Sequence, residues 1–415
     1  MNALAAIETR NRRSQLTCKV FTIKLDKSHL SKSKKTHLFM LPIEAKWLYN
    51  AQLSSPNIFT FLRNTRKTTN LDKDGNAIEH EIKYLSSQMI QALVDRTKQN
   101  IINLSKSKKK GNTVGKLKFR SCINSIPLTQ NNVTYTIKNN KYIHIQGLKG
   151  DIKVEGLNQI PQNAELANAS VIYRRSNIYI RITLFLPKEE KKLTGKVIGL
   201  DFGIETPIAS SNHEKYHFSF PETKELKKAS KHLNRCKKNS KNKYKAKLKL
   251  QKQYEKLTNQ KGDARHKFIH EITTENDEVY IQNDGIHSWQ DSKIKGFGRR
   301  IQHSIIGGIK NDLKSKSTTH MMPHNFPSTK LCPVCGCLND KMSLLENRVY
   351  YCDCGYKEDR DIHSAINMLP TEHRNKMLSE GKPLTYISIF PNRSSFPVEE
   401  RSLRLTESKY ESLVF

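Results

Sequence analysis

Four cysteines stand in two close pairs, Cys332 with Cys335 and Cys352 with Cys354, with sixteen residues between the pairs. Short-spaced thiolates on two turns can converge on one tetrahedral Zn²⁺, with Gly336 after the first pair letting backbone amides approach sulfur. Cys337 is a spare thiolate, and five cysteines within 23 residues are far too dense for scattered core thiols. The quartet therefore reads as a zinc ribbon that stabilises a loop. Cys18, Cys122 and Cys236 are isolated and read as inert.

A second chemistry is suggested by three well-separated aspartates. Two-metal phosphodiester cleavage needs several carboxylates around a pair of cations. Asp201 ends the apolar run Val-Ile-Gly-Leu and is followed by Phe202 and Gly203, so it is held at a strand terminus on a rigid support. Asp284 closes the run EVYIQND, where Gln282 is neutral and a poor metal ligand. In Asp359-Arg360-Asp361, one aspartate caps a helix and Asp361 points from its first turn toward the strands. Each acid alone is weak. An acid on a first strand, a fourth strand and a last helix is the order in which RNase H-like nucleases are wired.

Several elements must position these residues. Residues 15–29 alternate as a strand does. Ile43 to Leu53 and Tyr84 to Leu104 have helical spacing, and Ser105 to Gly111 reads as a basic loop. Strand signals return from Val114 to Pro187, with hairpins turning at Asn139–Asn140 and near Ser176–Asn177. The simplest architecture is a β-barrel with a helical insertion after its first strand. From Lys196 the sequence predicts strand, turn and strand, then a third strand at 214–220. A Lys-rich helical hairpin is expected at 223–270, the strand at 278–284 and a helix from Arg299 to Leu313. A weak strand at 318–326 and a helix from Arg360 to Leu369 complete the pattern, and the tail from Pro370 shows no clear core.

The chain has 415 residues, with 72 Lys and Arg against 39 Asp and Glu, a formal charge of +33. Such a charge repels itself unless a polyanion neutralises it, and phosphate contacts give strong, salt-sensitive binding. Arg12, Arg13, Lys106, Lys108, Lys109 and Lys110 are expected to meet nucleic-acid backbone, as are Lys237, Lys238 and Lys247 of the hairpin. Tyr244 and Tyr254 either stack on bases or pack between helices. No apolar run is long enough to span a bilayer, which excludes an integral membrane protein of helical type. The polar stretch Met1 to Arg13 argues against secretion.

The run GLDFGIETPIA, the Lys-rich hairpin, FPSTKLCPVCG and YYCDCGYKEDRDIHSAINML, in that order, resemble TnpB, the transposon-associated RNA-guided nuclease related to compact type V CRISPR effectors. The resemblance is strongest from about 196 to 369. It implies a multidomain α/β and β protein. A WED-like (OB-like) barrel is expected at 1–35 and 113–190, with a helical recognition insertion at 36–112. An RNase H-like RuvC core is expected at 191–325 and 357–372, a zinc ribbon at 326–356 and a partly disordered tail at 373–415. It also implies a guide RNA and double-stranded target DNA as partners, no membrane, a short flanking motif read by the protein, and a prokaryotic, nucleoid-associated cytoplasmic location. Mg²⁺ would serve a two-metal site at Asp201, Asp284 and Asp361, beside a structural Zn²⁺ on the four cysteines.

The resemblance breaks at one strand. Most members have Glu where Gln282 stands. A subgroup reads closer to Q-D-E-N…W, which Gln282-Asn283-Asp284 and Trp289 fit with Asp for Glu. Two outcomes follow: a rearranged active site through Asp284, or an RNA-guided binder that represses transcription without cutting. A transposase proper is the third class, weakened by the lack of a strand-transfer motif. His363 stands where many relatives have Asn, read either as a neighbour of Asp361 or as a helix-surface histidine.

Overall fold

The computed structural model describes residues 3–71, 75–174, 177–188, 192–218, 220, 223–290, 297–340, 348–380 and 382–389. The chain divides into two compact units, 1–190 and 191–415.

The first unit opens with α1 (Ala3–Ser14) and β1 (Leu16–Leu25), followed by α2 (Lys32–Ser54), β2 (Lys67–Leu71), β3 (Ala77–Glu81) and α3 (Ser87–Lys109). Six strands complete it: β4 (Ser125–Leu128), β5 (Tyr135–Lys138), β6 (Tyr142–Ile145), β7 (Ile152–Glu155), and the longer β8 (Glu165–Arg174) and β9 (Asn177–Pro187). Seven of the strands form one antiparallel sheet in the order β4-β8-β9-β1-β7-β6-β5. It curls nearly shut: fully buried Tyr135 of edge strand β5 donates its hydroxyl to the Ala167 carbonyl of β8, 2.9 Å away. Asn139 and Asn140 turn the β5–β6 hairpin with φ of 49° and 50°, a left-handed conformation that asparagine tolerates. The β8–β9 hairpin is also present, while Ser176 of its turn lies outside the described residues.

The insertion between β1 and β4 is more than helical. It begins at Lys32 and includes the antiparallel β2–β3 hairpin, whose residues carry no long apolar stripe and gave no strand signal. The run from Ser105 is a second correction: α3 continues to Lys109, because its amphipathic register carries the lysines onto the exposed side of the last turn. Lysines at a helix C-terminus also suit its dipole. Glu44 of α2, 1% exposed, accepts the backbone N–H groups of Lys83, Tyr84 and Leu85 at 2.9–3.1 Å and fixes the chain leading into α3. Leu38, Leu41 and Leu48 of α2 and Met89, Ile90 and Val94 of α3 share one core with the barrel.

The second unit begins with β10 (Val197–Phe202), β11 (Ile208–Ser210) and β12 (Glu214–Phe218), then α4 (Lys224–Arg235) and α5 (Lys241–Glu275). β13 (Glu278–Gln282), α6 (Ile286–Gln290), α7 (Phe297–His303), α8 (Ile306–Lys316) and β14 (Thr318–Met322) follow. The expected single helix from Arg299 is thus two, α7 and α8. After the cysteines come β15 (Val349–Tyr351), β16 (Lys357–Asp359), α9 (Arg360–Asn367), α10 (Thr371–Glu380) and β17 (Thr385–Ile389). Helices α4 and α5 start on Thr223 and Ser240, whose hydroxyls accept the N–H groups of Leu226 and Lys243.

The main sheet runs β14-β13-β10-β11-β12-β17. β11 is antiparallel to β10 and β12, while β13 and β14 run parallel to β10. β17 corrects the reading of the tail: residues 385–389, Thr-Tyr-Ile-Ser-Ile, pair in parallel with β12 at the sheet edge, a strand signal the sequence reading passed over. Residues 390–415 lie outside the described set. One face of β10, through Ile198, Leu200 and Phe202, packs on Phe268, Ile269 and Ile272 of α5 and on Ile306, Ile309 and Leu313 of α8. The intervening residues Gly199 and Asp201 therefore turn to the other face, where α9 lies.

That closeness depends on Gly199. A Cβ there would stand 2.1 Å from the Ala365 carbonyl of α9. Gly199→Ala is expected to lift α9 off the sheet and cost about 3 kcal/mol, read as a lower midpoint in urea unfolding. An unchanged midpoint would mean that α9 does not need this close approach.

Candidate active site and metal centre

Asp201 and Gln282 end up side by side. β10 and β13 pair in parallel with Leu200 opposite Ile281, so the next residues, Asp201 and Gln282, share a register position on one face. Asp284 lies two residues beyond the end of β13, and Asp361 sits in the first turn of α9. Asp359 caps that helix by accepting the N–H groups of Asp361 and Ile362, at 3.0 and 3.2 Å. Asp201 feels the other two: burial, then the charges of Asp361 and Asp284, push its carboxyl up to about 7. Like charges gathered in a partly dry pocket raise a carboxyl in this way.

Two buried lysines answer these acids. Lys310 of α8 donates to the Asp284 carboxylate and to the Gln282 carbonyl, both at 2.8 Å, and stands 4.9 Å from the centre of the Phe202 ring. Its own burial lowers its pKa, with the bond to Asp284 acting against that shift. Lys215 of β12 donates to Asp359 at 2.7 Å and Asp361 at 3.2 Å. Burial opposes its charge, but the acids outweigh burial and raise its pKa. Among the described residues, the only groups of three or more His, Cys, Asp or Glu with ligand atoms within 4.8 Å of one another are the four cysteines. The aspartates do not close to that spacing, and two of them are bonded to ammonium groups.

Sequence reading missed both lysines, although one had a signal. Ile306, Ile309, Lys310 and Leu313 fall on one helical stripe, so Lys310 occupies a core position. His363 is also decided: it is fully buried, which overturns the helix-surface reading. It stacks on Tyr350 at 3.6 Å, and burial drives its pKa down to about 3, keeping the ring neutral.

The cysteine quartet assembles as its spacing requires. Cys332 and Cys354 have sulfurs 3.6 Å apart, and Cys335 and Cys352 have sulfurs 3.5 Å apart. Four thiolates about 2.3 Å from one Zn²⁺ in a tetrahedron would be separated by about 3.8 Å, so this set fits the ion. The Cys337 amide, with the neighbouring thiols, lowers the Cys335 thiol to about 6 and favours the ligand form. Cys337 itself lies outside the quartet. Beneath the sulfurs, Cys332 packs with fully buried Tyr350, and Tyr350 carries the stack to His363 on α9.

The basic residues fall into two kinds. Lys106, Lys108, Lys109 and Lys110 are exposed around the end of α3, and Lys237, Lys238 and Lys247 are exposed in the α4–α5 hairpin. Arg12 and Arg13 are instead engaged: both donate to Glu165 at 2.8 Å, and Arg13 lies 4.8 Å over Phe185. Tyr244 is 65% exposed and so is not a packing residue. No helix among the described residues is long and apolar enough to cross a membrane.

A family model described as a probable transposase, OrfB of IS605, matches residues 173–283, which include Asp201 and Gln282. A Cas12f1-like TNB domain model matches residues 313–368, which include the cysteines and Asp361. A curated protein of Streptomyces pristinaespiralis, named as a candidate RNA-guided DNA endonuclease, is 29% identical over 185 residues. That stretch spans 42% of this chain and 45% of that relative. Among solved structures, a cryo-EM structure of a Cas12f1–sgRNA–target DNA complex aligns with a TM-score of 0.40 at 13% identity, covering 85% of this chain and 99% of that one.

Proposed function

We propose that this TnpB-like protein is an RNA-guided, Mg²⁺-dependent DNA endonuclease, in which a RuvC-type core cuts DNA after guide–target pairing. The observation that supports this most is that Asp284, past the fourth strand, and Asp361, on the helix, both act on the carboxyl of Asp201 on the first strand of the same unit. That is the order expected of an RNase H-like nuclease.

Mg²⁺, when held by these carboxylates, would supply charge neutralisation at the phosphate and a more acidic water. Asp201, rigid in the central strand, would be the fixed ligand. Asp284 and Asp361 are held by Lys310 and Lys215, which balance the acids' charge in the metal-free chain. The four-cysteine knuckle holds Zn²⁺ and braces α9 through Tyr350 and His363. The seven-stranded barrel with its inserted helices carries the guide RNA and the guide–target duplex.

The test is a cleavage assay with the full chain, guide RNA, flanked target DNA and Mg²⁺. Guide-dependent cutting by the wild type, lost in Asp284→Ala, supports the displaced-acid site. Guide-dependent DNA binding without cutting would replace it with the repressor reading. A chain purified from its expressing cells without RNA would remove guide dependence altogether.

The α4–α5 hairpin is proposed as a phosphate-contacting arm. Each phosphate contact contributes about 0.7–0.9 to the slope of log affinity against log salt. Replacing Lys237, Lys238 and Lys247 together with Gln is expected to lower that slope by about 2, measured by nucleic-acid binding across a salt series. An unchanged slope would show the arm to be merely solvated.

A further inference from the structure

Gln282 occupies the register position beside Asp201 where a carboxylate is expected, and its side chain is fully engaged elsewhere. Its amide nitrogen donates to the carbonyls of His324 and Phe326, at 2.9 and 3.1 Å. Its amide oxygen accepts the Ser328 hydroxyl at 2.9 Å. Both amide hydrogens and one oxygen lone pair are thereby used. Met322, which leads into this segment, pairs with Gln282 along the β13–β14 ladder.

The same segment is held from its other side by α9. Asn367 donates to the carbonyls of Ser328 and Leu331, at 2.8 and 2.7 Å, and is itself fully buried. The next residue, Cys332, is the first of the quartet, and Tyr350 donates to the Lys330 carbonyl at 3.2 Å. Residues 324–331 are thus clamped between the strand that leads to Asp284 and the helix that bears Asp361, directly before the metal knuckle.

A carboxylate could not replace this amide. Glutamate has acceptors only, so at this position it would face two carbonyl oxygens with no hydrogen to offer. We propose that Gln282 is a positioning residue: a neutral clamp that seats the 324–331 segment between the two acid-bearing elements and, by doing so, leaves the second-acid task to Asp284. The neutral side chain is then a working part of a rearranged site and not the remnant of a lost ligand. The last step rests on the nuclease reading; the clamp does not.

Full-length wild type, Gln282→Met and Gln282→Glu, each loaded with zinc, are to be compared by two measurements. The first is proteolytic cutting within 324–331. Resistance is expected to fall in the order Gln, Met, Glu, with the Glu variant cut at least about tenfold faster. A role in shape alone would rank isosteric Glu above Met. The second is Mn²⁺ titration by calorimetry, with Asp201→Asn as the control for binding at the acids. Affinity of Gln282→Glu is expected to fall about tenfold, the scale of losing a group that orients a ligand. Tighter Mn²⁺ binding by Gln282→Glu, or wild-type resistance in both variants, would overturn the proposal. If the Glu variant does not fold, Gln282→Met decides, and resistance equal to wild type would overturn the clamp. Absence of Mn²⁺ binding in the wild type would defeat the nuclease reading, while the proteolysis order still judges the clamp.

Discussion

Asp201→Asn is expected to lower the proposed guide-dependent DNA cleavage by at least about a thousandfold, about 4 kcal/mol of barrier, and at the same time to stabilise the metal-free chain. Both effects come from one carboxyl. Asp201 lies in β10 beside the end of β13, on the sheet face that carries α9, where Asp284 and Asp361 act on its carboxyl. Its pKa is raised to about 7 by burial and then by those two acids, so the ionised form is disfavoured in the fold. Between about pH 4 and 7 the unfolded chain ionises this group while the folded chain keeps it protonated, and stability falls as pH rises. Above pH 7 the full cost is present. Neutral Asn removes it, and a gain on the order of 1–4 kcal/mol is expected at pH 8 without metal, vanishing near pH 4. Chemical unfolding at the two pH values checks the stability arm, and the cleavage assay checks the other. A variant that still cuts would take the chemistry away from this aspartate.

The second large effect is removal of zinc. Structural Zn²⁺ contributes apparent binding free energies of about 10–16 kcal/mol to small domains. The knuckle has little else to hold it, since its core is Cys332 and Tyr350 with Cys352 and Tyr356 against them. Chelation, or Cys332→Ser, is expected to expose residues 324–340 to protease, with one equivalent of zinc lost by metal analysis. The damage should spread along a defined path. Tyr350 stacks on His363, which is buried on α9 within a turn of Asp361, so metal binding at the acids should weaken too. A chelated chain whose 324–340 segment stays resistant would mean that the quartet holds no structural metal.

These two sites differ in how the molecule holds them ready. The sulfurs already stand at ligand spacing, whereas two of the three acids, Asp361 and Asp284, are bonded to Lys215 and Lys310. A cation entering the acid site must compete with two ammonium groups, whereas among the described residues no ion pair occupies the four sulfurs. The acid site therefore depends on its surroundings being in order, which is why the clamp at Gln282 and the close contact at Gly199 carry weight for function.

The chain alone determined what is local or periodic. Cysteine spacing specified the quartet, apolar runs specified β10 and β13, and the Lys-rich helical pattern specified the α4–α5 hairpin. Asp359-Arg360-Asp361 announced a cap and an inward acid because capping is decided within one turn. Tertiary structure alone decided what depends on partners far away in sequence. Lys215 and Lys310 read as ordinary cations until β12 and α8 bring them beside the acids, 144–146 and 26 residues distant. The β2–β3 hairpin has a weak pattern and exists because each strand accepts the other's backbone bonds, and the five-residue β17 finds its place only at the open edge of β12. Gln282 gives the clearest division: its identity was legible as a missing acid, but only the fold shows that two carbonyls and a hydroxyl from 42–46 residues away require an amide there.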